Sequence, residues 1–413
     1  MKKLITGTVI ALLTITAHSQ QFEPAHLKSS DFSRMKVRVG GNFAIQYQIV
    51  SHEADSALIP LGTGFNLPTA NLNLDVDLAR GVKLNLVTYL SSRHHNEAWV
   101  KGGYLQFDAL PFIKSAKVDS LMNYLSLKVG DMEVNYGDEH FRRSDNGNVT
   151  NNPFVGNYIM DAFMTSPSLE ILFRKDGIIA MGGMTAGTLN PSLVKFSNNT
   201  YTAYDATRYL GYYWKLGYDR QFNYDFRGRL TLSGYHAPKN YSGSLYNGDR
   251  TGSRYYLVMK RITDSSSDVD ITSNHITGRW GPGTTNKDNS LMANLFLKEK
   301  GLEFFGTYEH AGGTYLSGNE FRFNQYAAEG LYRFGSNEQY YGGVRYNYVK
   351  GSKNVSGSDF QSINRVQVAA GWFILESTLL KIEYVNQNYN NFITDYGANA
   401  GFKGVMVEAA VTF

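Results

Sequence analysis

The sequence predicts an all-β fold, a single transmembrane antiparallel β-barrel. Three observations predict it: long alternating apolar and polar stripes, an export leader, and an unusual composition. Tyr (29), Phe (24) and Gly (41) are abundant, Pro is scarce at 9, charged residues make up only 18%, and Cys is absent. A disordered chain would lack the aromatics, and Gly and Tyr are poor helix formers. Without Cys there is no disulfide scaffold, thiolate zinc site or thiol nucleophile. A net charge of +4 gives no basic footprint for nucleic acid.

The chain opens on Lys2 and Lys3, then an uncharged run to Ala17. Ala17-His18-Ser19 puts small residues at the two positions read by a signal peptidase, so cleavage before Gln20 is expected. Residues 1–19 are then a signal peptide and 20–34 a short periplasmic segment. The barrel occupies 35–413. No later stretch has the ~18–20 apolar residues of a membrane helix, so a bilayer would have to be crossed by strands.

The clearest stripe is Ala70 to Leu78, with Leu72, Leu74, Val76 and Leu78 on one face and Asn71, Asn73, Asp75 and Asp77 on the other. A strand sends alternate side chains to opposite faces, so one face is oily and the other wet. Similar stripes run through Val37–Ile49, Leu210–Tyr218, Asn364–Ile374 and Val405–Phe413. They are about 10 to 15 residues long, against ~5–6 for soluble strands and ~9–11 for a tilted bilayer crossing. Strands are expected at 36–49, 68–79, 81–92, 97–109, 122–136, 166–175, 177–188, 206–221, 224–236, 252–263, 289–299, 301–313, 320–335, 338–350, 361–375, 378–390 and 401–413. An even number closes the barrel with both ends on one side. Val269–Trp280 is therefore added, giving 18 strands; 16 is the alternative, if the pair within 166–188 is not two strands. Tight turns then fall on one side and long polar loops on the other, as in outer-membrane barrels. The 110–121 connection is long for a turn and has room for a helical turn. Phe413 gives the final strand an aromatic end, matching the terminal signal read by the barrel-assembly machinery.

A barrel of this size leaves an aqueous channel unless something fills it. The expected activity is that of a porin, passing small hydrophilic solutes by passive diffusion. The candidate constriction is the loop Gly137–Ser166, which carries Glu139, His140, Arg142, Arg143 and Asp145 and apolar Phe154, Val155, Tyr158 and Ile159. Opposed charges at a narrow point would filter solutes by charge. The same residues also suit an external loop with a solvated charge cluster. Parity points Arg38, Lys83, Lys128, Arg174, Arg227, Arg229, Arg345 and Arg365 into the lumen, with Glu303, Glu329 and Glu383 among the acids; the slight basic excess leans towards anions. No G-x-S-x-G, P-loop or H-E-x-x-H is present, so no enzyme activity, cofactor or metal is expected. His94-His95 reads as a solvated pair, and Asp264, Asp268 and Asp270 lack EF-hand spacing. The alternative is a closed barrel serving as a structural or accessory subunit of an envelope assembly.

Leu125-Ser126-Leu127-Lys128-Val129-Gly130-Asp131-Met132-Glu133-Val134-Asn135-Tyr136-Gly137 resembles the strand of Gram-negative phosphate-selective porins of the O and P type that leads into their constriction loop. That family pattern is L-x-(L/V)-G-Q-F-K-x-P-F-G. Gly130 and Gly137 fit it; its Gln-Phe-Lys is here Asp131-Met132-Glu133, and its Pro-Phe is Asn135-Tyr136. The resemblance implies an outer-membrane location and a homotrimer of 16-stranded barrels. Lipid, the transported solutes, the assembly machinery and accessory envelope proteins are the expected partners.

Overall fold

The computed structural model describes residues 20–27, 32–89, 99–145, 148–189, 194–197, 200–203, 209–248, 250–264, 269, 271, 277–357 and 360–413. The expected leader, and His94 and His95, lie outside them. The barrel strands are β1 (Lys36–Glu53), β2 (Thr69–Ala79), β3 (Val82–Tyr89), β4 (Trp99–Phe107), β5 (Leu125–Glu133), β6 (Thr165–Lys175), β7 (Ile178–Thr185), β8 (Gly211–Gln221), β9 (Phe226–Ala237), β10 (Lys287–Glu299), β11 (Leu302–Thr314), β12 (Glu320–Phe334), β13 (Tyr340–Ser352), β14 (Gln361–Leu375), β15 (Thr378–Asn390) and β16 (Ala400–Thr412). Each pairs antiparallel with its neighbours, and β1 closes the ring on β16 and β2. The sheet has seventeen members, one of them the two-residue strand Gly64–Phe65, which leaves a closed barrel of sixteen. A separate hairpin pairs Val194–Ser197 with Thr200–Ala203. No helix among the described residues is long and apolar enough to cross a membrane.

The count corrects the expectation of 18, but not where the alternative placed the surplus: the pair within 166–188 is present as β6 and β7. The chain at 252–263 is not a barrel strand, and the described part of 269–280 is irregular. The reason is legible afterwards. Tyr255-Tyr256-Leu257-Val258-Met259 is apolar at five consecutive positions, whereas a wall strand between lipid and water needs alternation. Tyr255, Tyr256, Val258 and Met259 are all buried inside the barrel, and Arg254, Leu257 and Met259 take positive φ, which no strand sustains.

The stripes set the wall. Tyr212, Trp214 and Leu216 of β8 point out and are exposed, while Tyr213 and Lys215 point in and are buried. Val366, Val368, Trp372 and Ile374 of β14 behave likewise around buried Arg365 and Gln367. Since the backbone of each wall strand is paired within the closed ring, this oily outside can face lipid. Near the tight turns, Tyr332, Phe334, Tyr340 and Trp372 stack in series at 5.6–6.0 Å, as an interfacial aromatic girdle does. Asp176 (φ 52°) and Gly177 (φ 89°) make the β6–β7 turn, where positive φ at both central positions matches the twist of the strands. The long connection between β4 and β5 holds a short helix, α1 (Ala116–Met122). At the seam Phe413 exchanges backbone hydrogen bonds with Gly41 at 3.0 and 3.1 Å.

Candidate functional site

Two long connections enter the lumen from the end opposite the tight turns. The first is 134–164, between β5 and β6. Gly137 (φ +70°) turns it inward, packed so closely on Met292 that a Cβ would collide with the thioether. The second is the described part of 238–286, between β9 and β10.

An irregular loop inside a barrel brings backbone groups that water no longer reaches, and each needs a partner. The wall side chains supply them. Glu383 accepts from the N–H of Val155 at 2.8 Å and of Gly156 at 3.3 Å. Asn347 and Gln325 accept from the N–H groups of Ile159 and Met160 at 2.7 and 3.0 Å. Lys381 donates to the carbonyls of Val149, Asn152 and Phe154 at 2.9–3.0 Å, and Arg345 to that of Gly156 at 2.7 Å. Arg365 donates to the carbonyl of Asn157. The second loop is held in the same way. Tyr255 Oη donates to Glu383 at 2.5 Å and Tyr246 Oη to Glu309 at 2.8 Å, while Arg254 pairs with Glu408 at 2.9 Å. The loops also bind one another: the Gly252 N–H donates to Asp161 at 2.8 Å.

All five candidate constriction residues lie inside the barrel and are buried. Arg142 pairs with Glu303 at 2.8 Å and Glu329 at 3.0 Å. Arg143 grips Asp161 through two nitrogens at 2.6 and 2.7 Å, and such fork-on-carboxylate pairs fix orientation as well as charge. Asp145 lies 2.9 Å from Lys101 and 3.7 Å from Arg250. Burial pushes its carboxyl up, but Lys101, Arg250 and Arg143 outweigh that and hold it at about 2. His140 bridges Glu133 and Asn135. Burial, reinforced by Asp161, raises the Glu139 carboxyl well above the usual range.

The lumen-facing wall residues divide into two groups. Arg229, Arg345, Arg365, Glu303, Glu329 and Glu383 are each 4% exposed or less, beneath the loops. Arg38, Lys83 and Lys128, with Arg174 at the turn end, retain partial exposure. They sit on a strip from β1 to β6 with Asp75, Asp77, Asn85, Tyr104, Asp131 and Glu133, also partly exposed. Three of its cations are matched: Arg38 to Asp77 at 2.6 Å, Lys83 to Asp75 at 2.8 Å and Lys128 to Glu170 at 3.3 Å. Where the strip meets the first loop, Lys101, Tyr104, Glu133, Asp145 and Arg250 line a recess of about 120 Å³. Arg227 pairs with Asp219 at 2.7 Å near the turn end.

Several residues that organise the lumen carried no mark in sequence. Asp138 accepts from Lys215, Arg229 and Thr231 at 2.7–2.9 Å; burial raises its carboxyl, yet Lys215 and Arg229 together force it far below the usual range. Lys215 sits on the inward face of β8, opposite the oily stripe, so parity could have found it. Asp138, Asp161 and Tyr255 lie on irregular backbone, where no period exists to read. Of the acidic trio near 264–270, only Asp264 is among the described residues, paired with Arg261 at 2.8 Å.

By sequence, no family model and no curated protein matches the chain. By fold, solved structures do. An anion-selective porin from Comamonas acidovorans superposes with a TM-score of 0.52 at 12% identity, over 92% of this chain and 100% of that one. The outer-membrane protein OmpT of Vibrio cholerae, as a loop-deletion mutant, gives 0.51 at 10% identity over 92% and 99%. At such identities the likeness is one of architecture, and the architecture is that of the outer-membrane porin barrel.

Proposed function

We propose that this protein is an outer-membrane channel for the passive diffusion of small hydrophilic solutes, its water path running along the β1–β6 strip beside the inserted loops. One observation carries the reading: Arg38, Asp75, Asp77, Lys83 and Lys128 keep contact with solvent along that strip, whereas from β8 to β16 the inward charged groups beneath the loops are buried and only those near the turn end, such as Arg227 and Asp219, keep such contact. The solute would pass paired charges of both signs, with Lys101, Glu133, Asp145 and Arg250 at the narrows and the inserted loop bearing Glu139, His140, Arg142 and Arg143 as the constriction's frame. Because Arg38, Lys83 and Lys128 on the strip are matched by carboxylates, any preference for anions is weak. The resemblance to phosphate-selective porins rests on Leu125–Gly137, and Asp131 and Glu133 there oppose a phosphate site; general polar solutes fit better. A homotrimer, and assembly through a terminal signal at Phe413, belong to the same proposal. Planar-bilayer recording tests it. Discrete conductance steps are expected from the purified, heat-modifiable barrel; folded protein that inserts but passes no current ends it.

A second reading has its own support. Two loops and many buried ion pairs pack against the lumenal wall from β8 to β16, as suits a closed barrel acting as an accessory subunit of an envelope assembly. Copurification with a fixed partner and silence in the bilayer would favour it.

A further inference from the structure

Residues Gln20–Leu27 do not hang free below the barrel. They enter its mouth at the turn end, where Phe22 and Glu23 are buried. The ring of Phe22 meets Phe296 and Phe141 edge-on, with centroids 5.3 and 5.9 Å apart. The guanidinium groups of Arg229 and Arg227 lie 4.3 and 5.4 Å from its centroid. The Glu23 carboxylate accepts two hydrogen bonds from Arg229, at 2.6 and 2.8 Å, and lies 3.8 Å from Lys215. Arg227 donates to the carbonyl of Gln20 at 2.7 Å. This is how a protein binds a peptide: an aromatic ring in an aromatic and cationic slot, and a carboxylate on a forked arginine.

The charges show what the slot requires. Lys215, Arg227 and Arg229 are matched by Asp138, Asp219 and Glu23. Asp138 and Asp219 belong to the barrel and its first loop; Glu23 alone is brought in by the segment. If the segment withdraws, three cations face two carboxylates around an empty ring-sized slot. The slot also has a way in, since the Arg227 and Asp219 side chains keep 21% and 18% exposure.

We infer that the turn-end mouth is a binding site for a carboxylate next to an aromatic ring, as in an aromatic–acidic peptide, and that Phe22-Glu23 occupies it as a tethered competitor. The site is independent of conduction and stands whether or not the barrel passes current.

The test is calorimetry on the full-length protein in detergent, with heat-modifiable migration confirming the fold of each variant. The probe is N-acetyl-Phe-Glu-amide. The Phe22→Ala, Glu23→Ala double variant should bind it at least ten-fold more tightly than the unaltered protein, whose site is filled. Adding Arg227→Ala should weaken that binding ten-fold or more, and N-acetyl-Phe-Gln-amide should bind far less well. If the double variant does not fold, Glu23→Gln alone, which keeps the segment's shape, should still raise the affinity. No heat from a folded, vacated barrel would overturn the inference. So would equal binding with and without Phe22 and Glu23, which would place the probe elsewhere.

Discussion

The two arcs of the lumenal wall obey different physics. From β8 to β16, inward Lys215, Arg229, Glu329, Arg345, Arg365, Lys381, Glu383 and Glu408 are 0–2% exposed. They act as the polar half of a packed interior. A buried charge persists only when paired and hydrogen-bonded, and each of these is held against a loop, a neighbouring strand or both. From β1 to β5, Arg38, Asp75, Asp77, Lys83 and Lys128 pair with each other and with Glu170 but remain in reach of water. Both arcs carry the same residue types at the same parity. The same side chain therefore locks a loop or lines a path, according to whether a loop covers it.

Four measurements would break or sharpen this contrast. The largest effect is expected from Arg143→Ala, which leaves the fully buried Asp161 without its fork. Removing one partner of such a pair costs about 3–5 kcal/mol. The urea midpoint for protease nicking within 134–164 should fall accordingly and the conductance should rise; an unchanged midpoint would show that the covered arc is not a sealed interior.

Next comes acid. Asp145 titrates at about 2, against an ordinary value of 3.8. Its depressed folded value means stabilisation that is whole above about pH 4 and lost as pH falls towards 2, by about 2 kcal/mol in total. The first loop should stay protease-resistant at pH 5 and loosen between pH 4 and 2. Loosening already at pH 6 would assign the anchor to another group.

Tyr255→Phe removes the hydroxyl that donates to Glu383 and accepts from Gln367. A loss of about 1–3 kcal/mol is expected in the same nicking assay, because a buried acceptor is left short of one donor. The smallest effect on stability is expected from Lys83→Ala on the open strip. A partly exposed ion pair contributes less than about 1 kcal/mol, so the nicking midpoint should barely move, whereas the reversal potential should shift towards cations. A stability loss as large as that of Arg143→Ala would erase the difference between the arcs.

Most of the wall was legible because lipid imposes a strict rule. Alternation of oil and water along ten or more residues has one structural meaning, and Val37–Ile49, Leu72–Leu78, Tyr212–Tyr218 and Val405–Val411 follow it. The count went astray at 252–263, where length and aromatic content imitate a strand although alternation fails at Tyr255–Met259. Parity also placed Arg229, Arg345, Arg365, Glu303, Glu329 and Glu383 on the inner face. It could not say which of them water would reach, since that depends on segments more than a hundred residues away along the chain: Glu383 is covered by Val155, Gly156 and Tyr255.

By itself, then, the sequence determined a closed, lipid-facing cylinder with tight turns at one end, because local alternation and backbone pairing suffice for that. Only the tertiary structure decided what fills it. The insertion of 134–164, of the described part of 238–286 and of Gln20–Leu27 depends on partners supplied by distant strands. Loop backbone becomes affordable inside a barrel only when those donors and acceptors meet it in three dimensions.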